Sequence, residues 1–139
     1  MAKKTSKQIE RDIFRMLKNN SNLVSEIGGE IYRDGMRPMD SKKEDAVVKF
    51  LTGTGKQEQS GIVLLHVYVS DKDVYGKGEL VEDIGRIDAL EEAIEKALAG
   101  IESAEYILET DGTPQSYKSQ DYNGQHFINA RIKYKRSIL

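Results

Sequence analysis

His66 and His126 are the only two imidazoles in the chain, and each falls in a stretch that reads as strand. On neighbouring strands they could share a face and hold a metal, but two ligands do not make a site. No H-x-H or H-x-x-x-H spacing is present, and a third ligand would have to be an acid. Partly buried structural histidines are the expectation. Asp71 and Asp73 resemble the start of a calcium loop, yet Gly76 and Glu82 fall out of the D-x-D-x-D-G-x5-E register. Glu82 and Asp83 suggest paired acid–base chemistry, but acids in a first helical turn are expected from the helix dipole alone.

Gly53-Thr54-Gly55-Lys56 offers freed backbone N–H groups and a positive charge, the materials of a phosphate loop. Its glycines are too close for G-x-x-x-x-G-K-[ST], Gln57 follows the lysine, and an apolar strand comes next instead of a helix N-terminus. It reads as a hairpin loop. Gly76-Lys77-Gly78 has the same defect and reads as a mobile lid or inter-subunit loop. No serine lies in a G-x-S-x-G context, so no nucleophile and base are brought near each other by sequence. The residues nominate no enzyme and no cofactor. Tyr117, Tyr122 and Tyr134 stand near Lys118, Arg131, Lys133, Lys135 and Arg136, which raises single-stranded nucleic-acid binding by stacking. Aromatics on ribbon arms are also common subunit anchors, and the overall charge balance favours that use.

The elements that must position these residues centre on Gly61 to Gly100. Residues Ile62 to Val69 are β-branched and aromatic, with little polar relief on either face, as a central strand requires. After a loop from Ser70 to Glu79, Leu80, Ile84, Ile87, Leu90, Ile94, Leu98 and Ile101 recur every three or four residues and predict one amphipathic helix lying on a sheet. Gly100 is its stop signal.

Ahead of this unit, Thr5 and Gln8 have capping-box spacing, and Ile9, Ile13, Met16 and Leu17 follow on one helical face. A short turn over Leu23 to Ile27 ends at Gly28-Gly29. Glu30 to Arg33 predicts a short strand, Asp34 to Glu44 a solvated connection, and Ala46 to Thr52 a strand joined to the central one by the polar loop Gly53 to Ser60. Beyond the long helix, Glu105 to Thr110 predicts a strand and Asp111-Gly112-Thr113-Pro114 a turn. Tyr117 to Tyr122, the Asn123-Gly124 pair and the alternating stretch from Gln125 to Arg136 predict a ribbon with a type I′ turn. The order is α-β-β-β-α-β-β, which gives an α+β class. A mainly antiparallel sheet of four to five strands would carry both helices on one face.

A chain of 139 residues suggests a single domain over 1–139, with residues 1–5 flexible. The absence of cysteine gives no support for disulfides or thiolate metal sites. Twenty-one basic against 23 acidic residues leave no broad basic field to drive phosphate binding. The longest apolar run is far short of the roughly 20 residues that span a bilayer, and no secretory signal is visible, so a soluble cytoplasmic setting is expected.

The order of features resembles the tail terminator, or tail completion, proteins of long-tailed bacteriophages. The likeness lies in the first helix followed by Ile27-Gly28 and Glu30-Ile31-Tyr32, with Pro38 shortly after. It continues in Ala46 to Phe50, in the strand Gly61 to Val69 feeding Ile87-Asp88-Ala89-Leu90, and in Asp121 to Gly124 before a final strand. Glu44-Asp45 stands where such proteins often have a proline. The resemblance implies a non-enzymatic phage or prophage virion protein without cofactor or metal, assembled in the host cytoplasm. It implies a hexameric ring at the head-proximal end of the tail, in contact with the tail tube protein and the head–tail connector. On this reading the subunit and partner contacts would be Lys56, Gln57 and Glu58 on the hairpin tip, Asp73, Tyr75 and Lys77 before the long helix, and Tyr117 and Tyr122 on the ribbon. The alternative is a small nucleic-acid-binding module that uses the open sheet face.

Overall fold

The structure is a computed structural model and describes residues 3–55 and 58–137. Thr5 caps the first helix, α1 (Ser6–Lys18), through both halves of the capping box: its hydroxyl accepts from the Gln8 N–H at 3.2 Å, and its own N–H donates to the Gln8 side chain at 2.8 Å. Asn20 caps α2 (Ser21–Glu26) and also donates to the Ala97 carbonyl, which ties this short helix to the last turn of α3 (Ile84–Ala99). Asp83 caps α3 by accepting from the Arg86 N–H, so Asp83 precedes the helix as its cap.

Among the described residues six strands form one sheet: β1 (Ile31–Arg33), β2 (Ala46–Gly55), β3 (Glu58–Ser70), β4 (Tyr106–Thr110), β5 (Gln115–Lys118) and β6 (Gln125–Ser137). The order is β1-β2-β3-β6-β4, with β5 also paired to β6. The β1–β2 pair is parallel and the rest are antiparallel. The α+β class and the central place of the Ile62–Val69 stretch agree with the sequence reading. Because β3 and β4 both run antiparallel to β6, they are parallel to each other with β6 inserted between them, a split βαβ arrangement.

Alternation places Val63, Leu65, Val67 and Val69 of β3, with Ile128, Ala130, Ile132 and Tyr134 of β6, in one cluster with Ile9, Ile13 and Leu17 of α1 and Ile87, Leu90, Ile94 and Leu98 of α3. Each valine, leucine or isoleucine among them contributes about 1.5–3 kcal/mol when fully buried, so this one face holds both long helices. The opposite face carries Lys49, Ile62, Leu64, His66, Tyr68, Phe127, Arg131 and Lys133, with no helix over it among the described residues. Two members of the expected α3 stripe are absent from the core: Leu80 lies before the helix, 55% exposed, and Ile84 at its first position is 70% exposed.

Three local expectations differ from the structure. Gly53 and Gly55 lie in β2, and Glu58 to Ser60 in β3, where a loop was expected. Gly53 faces Gly61 across the pair; a Cβ on Gly53 would strike the Tyr134 hydroxyl, and one on Gly61 the Thr52 carbonyl. The glycines make room for a strand packing closely under a tyrosine of β6. Asp111 to Pro114 does not reverse the chain. β4 and β5 run the same way along β6, with Asp111 still donating to the Arg131 carbonyl, so they form one interrupted edge strand. The β5–β6 connection spans residues 119–124, and only Gly124 there has positive φ, at 73°, so the type I′ pair does not form at Asn123-Gly124.

Candidate functional site

A concavity of about 370 Å³ lies on the uncovered sheet face. Val47, His66, Tyr68 and Phe127 supply its floor, Asp34, Arg37 and Met39 one wall, and Ser119 to Tyr122 the other. Arg37, in the stretch expected to be a solvated connection, is buried. Its Nε pairs with Asp45 at 2.9 Å, the side chains being 2% and 0% exposed. One terminal nitrogen donates to the Ser41 and Lys43 carbonyls and to Gln125, while the other, Nη1, is buried with no partner. The guanidinium carbon sits 4.1 Å from the Tyr68 ring centre and 4.2 Å from that of Tyr122, a cation–π sandwich.

Asp45 also accepts from the Glu30 N–H and the Ser41 hydroxyl. Burial acts to raise its carboxyl, but these hydrogen bonds and Arg37 outweigh it and hold the group below the usual carboxylate range. Burial pushes the Tyr68 phenol up and the His66 imidazole down, so both favour their neutral forms in the groove. Phe127 stacks near His66, Tyr68 and Tyr117, with ring centres 4.7–5.8 Å apart.

Beside this groove, the connection from β3 to α3 is a projecting hairpin. Lys72 and Val81 exchange two backbone hydrogen bonds, and the Asp73 carboxylate accepts from the Lys77 and Gly78 N–H groups at 3.1 and 2.9 Å. Asp73 therefore shapes the turn from within. Val74 and Tyr75 at the tip are 56% and 66% exposed, and Lys77 is exposed beside them. The tip, in the segment expected to be a mobile lid or inter-subunit loop, has an internally bonded frame and an apolar end.

The two histidines sit on neighbouring strands but opposite faces. His66 pairs with Asn129, an odd three residues from His126, so a shared metal site is ruled out by register. His126 contacts Asp71 through Nδ1 at 2.6 Å and Glu82 through Nε2 at 3.5 Å, and the Ser116 hydroxyl donates to Glu82. The serine thus meets a carboxylate and not the imidazole, and the cluster acts as a clamp joining the hairpin base to β5 and β6. Among the described residues no group of three His, Cys, Asp or Glu could hold a metal ion.

The remaining contact candidates are scattered. Glu58 is exposed at the start of β3, and Lys56 and Gln57 lie outside the described residues. Tyr117 is 46% exposed on the uncovered face, and Tyr122 is half-buried against Arg37 in the groove wall. Tyr134 is 1% exposed on the helix side, packed near Phe50 and Tyr106, so it cannot stack a base on the open face. Of the five N-terminal residues expected to be flexible, Lys4 exchanges two hydrogen bonds with the Gln59 side chain and pairs with Asp12 and Glu105, while Thr5 caps α1. Met1 and Ala2 lie outside the described residues. Sequence reasoning missed Arg37, Asp45 and Ser116: Arg37 and Asp45 meet each other, Ser41 and Lys43 within one connection, but Tyr68, Tyr122 and Gln125 reach Arg37, and Glu82 reaches Ser116, only when distant segments meet, and none belongs to a periodic pattern.

The fold and the site define a class: an α+β protein with one helix-covered face, one uncovered face bearing an aromatic groove, and a projecting apolar hairpin. No protein-family model matches the chain, and no curated protein matches it either. No helix among the described residues is long and apolar enough to cross a membrane.

Proposed function

We propose that this protein is a structural assembly protein of the phage tail-terminator kind. Copies would join in a ring that ends the tail tube and offers a surface to the head–tail connector. The observation that carries this reading is the pair of unlike, half-used edges of the sheet. On one side β1 covers β2 only from Ala46 to Val48, leaving Lys49 to Gly55 without a further strand partner among the described residues. On the other, the outer edge of interrupted β4 and β5 has no described strand partner. One self-complementary patch closes at two copies, whereas two unlike edges give each copy a head and a tail, the requirement for a ring. Unpaired edges also need covering if they are not to promote uncontrolled association.

The role is non-enzymatic and takes no cofactor. Its place would be the virion tail, after assembly in the host cytoplasm. A near-neutral chain suits a ring lumen through which DNA passes without being held. Electron microscopy of the concentrated protein tests the proposal: annular particles of uniform subunit number, which cap tail tubes at one end, are expected. The absence of annuli with and without tubes would refute it.

A second reading has its own observation. Tyr117 and Phe127 lie on the uncovered face with Lys49, Arg131 and Lys133, a combination that single-stranded nucleic acid can use by stacking and phosphate contact.

A further inference from the structure

We infer that the groove on the uncovered face receives the hairpin tip of a second copy of this chain, with Tyr75 as the inserted residue; this rests on the ring reading above. Arg37 is a cation buried in the groove wall, and its Nη1 has no partner, so the site holds a hydrogen-bond donor that its own chain leaves unused. Leaving such a donor unpaired is costly, and an incoming acceptor recovers that cost. The floor of His66 and Phe127 is aromatic, which selects a ring over an aliphatic chain.

Charge fixes which ring. Arg37 is compensated by Asp45, and Lys49 is outnumbered by Asp34 and Asp121, both exposed at the groove, so the site is net acidic. The tip offers a partial complement: Tyr75 is 66% exposed and Lys77 is the one charge between Val74 and Gly78, the Asp73 carboxylate being occupied inside the turn and Lys72 and Glu79 lying on the two arms behind it. A tyrosine hydroxyl both accepts and donates, so it can donate to the exposed Asp121 and accept from Arg37 Nη1, which is buried and is reached when the Tyr122 ring over the guanidinium turns aside. Knob and hole are different surfaces of one chain, so each copy can give one and receive one.

The chain has no cysteine, which makes thiol cross-linking clean. Val74→Cys, beside the inserted ring, and Gln120→Cys, beside its acceptor, alter exposed positions, leave Tyr75 and Asp121 in place and are compatible with folding, to be verified by circular dichroism. Because the inserted side chain separates the two backbones, a short thiol-specific cross-linker is preferable to direct oxidation. Mixing the two single variants should give a covalent heterodimer that neither gives alone, with the yield reduced severalfold when Tyr75→Ala or Lys77→Glu accompanies Val74→Cys. In the doubly substituted chain the products should climb as a ladder to the full ring. A ladder that stops at two would keep the tip-in-groove contact and refute the ring. No heterodimer from a protein that is otherwise oligomeric would overturn the contact and leave the ring standing. No heterodimer from a monomeric protein would overturn both.

Discussion

Arg37 and Asp45 form a 2.9 Å ion pair whose side chains are 2% and 0% exposed, joining the wall of the groove to the first residues of β2. Removing one member leaves the other charged and buried. Arg37→Ala should therefore cost about 3–5 kcal/mol of stability, measured by urea unfolding. A loss below about 1 kcal/mol would show that water or a neighbour readily replaces the guanidinium.

The pH dependence follows from the same carboxylate. Asp45 titrates lower in the folded protein than its unfolded value of about 3.9, so its contribution is complete above about pH 4 and is lost as pH falls through the folded value. The Arg86 hydrogen bonds lower Glu44, and Lys4 followed by Arg136 lowers Glu105, in the same direction. Urea midpoints taken in steps below pH 5 should decline toward acid, and Asp45→Asn should decline less steeply from a lower starting stability. An unchanged slope in the variant would contradict the assignment.

Gly53 and Tyr134 offer a test of the close approach in the sheet. A methyl on Gly53 would meet the Tyr134 hydroxyl, so Gly53→Ala should destabilise by about 1–3 kcal/mol. Tyr134→Phe removes the obstructing oxygen. The double variant should be more stable than the sum of the two losses predicts, and strict additivity would refute the contact.

This glycine also shows where the sequence stops being informative. The capping box at Thr5 and Gln8, the 3.6-residue period from Ile87 to Leu98 and the alternation from Gln125 to Arg136 are local patterns, and the structure keeps all three. Gly53 and Gly55 looked like a loop because the reason for them, a tyrosine 81 positions further on in the chain for Gly53, is not local. Leu80 and Ile84 fitted the helical period, but Asp83 caps the helix after Leu80 and the chain enters from the exposed hairpin. The groove was the least legible part. Tyr122 was singled out beforehand, but the Arg37–Asp45 pair, Tyr68 and Gln125 come from separate segments and meet only through sheet order.

Nucleic-acid binding separates the two functional readings. The assembly reading expects the protein to pass through a single-stranded DNA column at low salt. Retention that falls steeply with salt and is lost on Tyr117→Ala with Lys133→Ala would favour the open-face module instead.

The central claim is self-assembly through unlike surfaces, and the solution mass tests it most directly. Light scattering after size-exclusion chromatography, over a wide range of concentration and in low and high salt, should give about six times the 15.7 kDa chain, or a monomer that converts to that mass as concentration rises. A mass of one chain at every concentration would contradict the account.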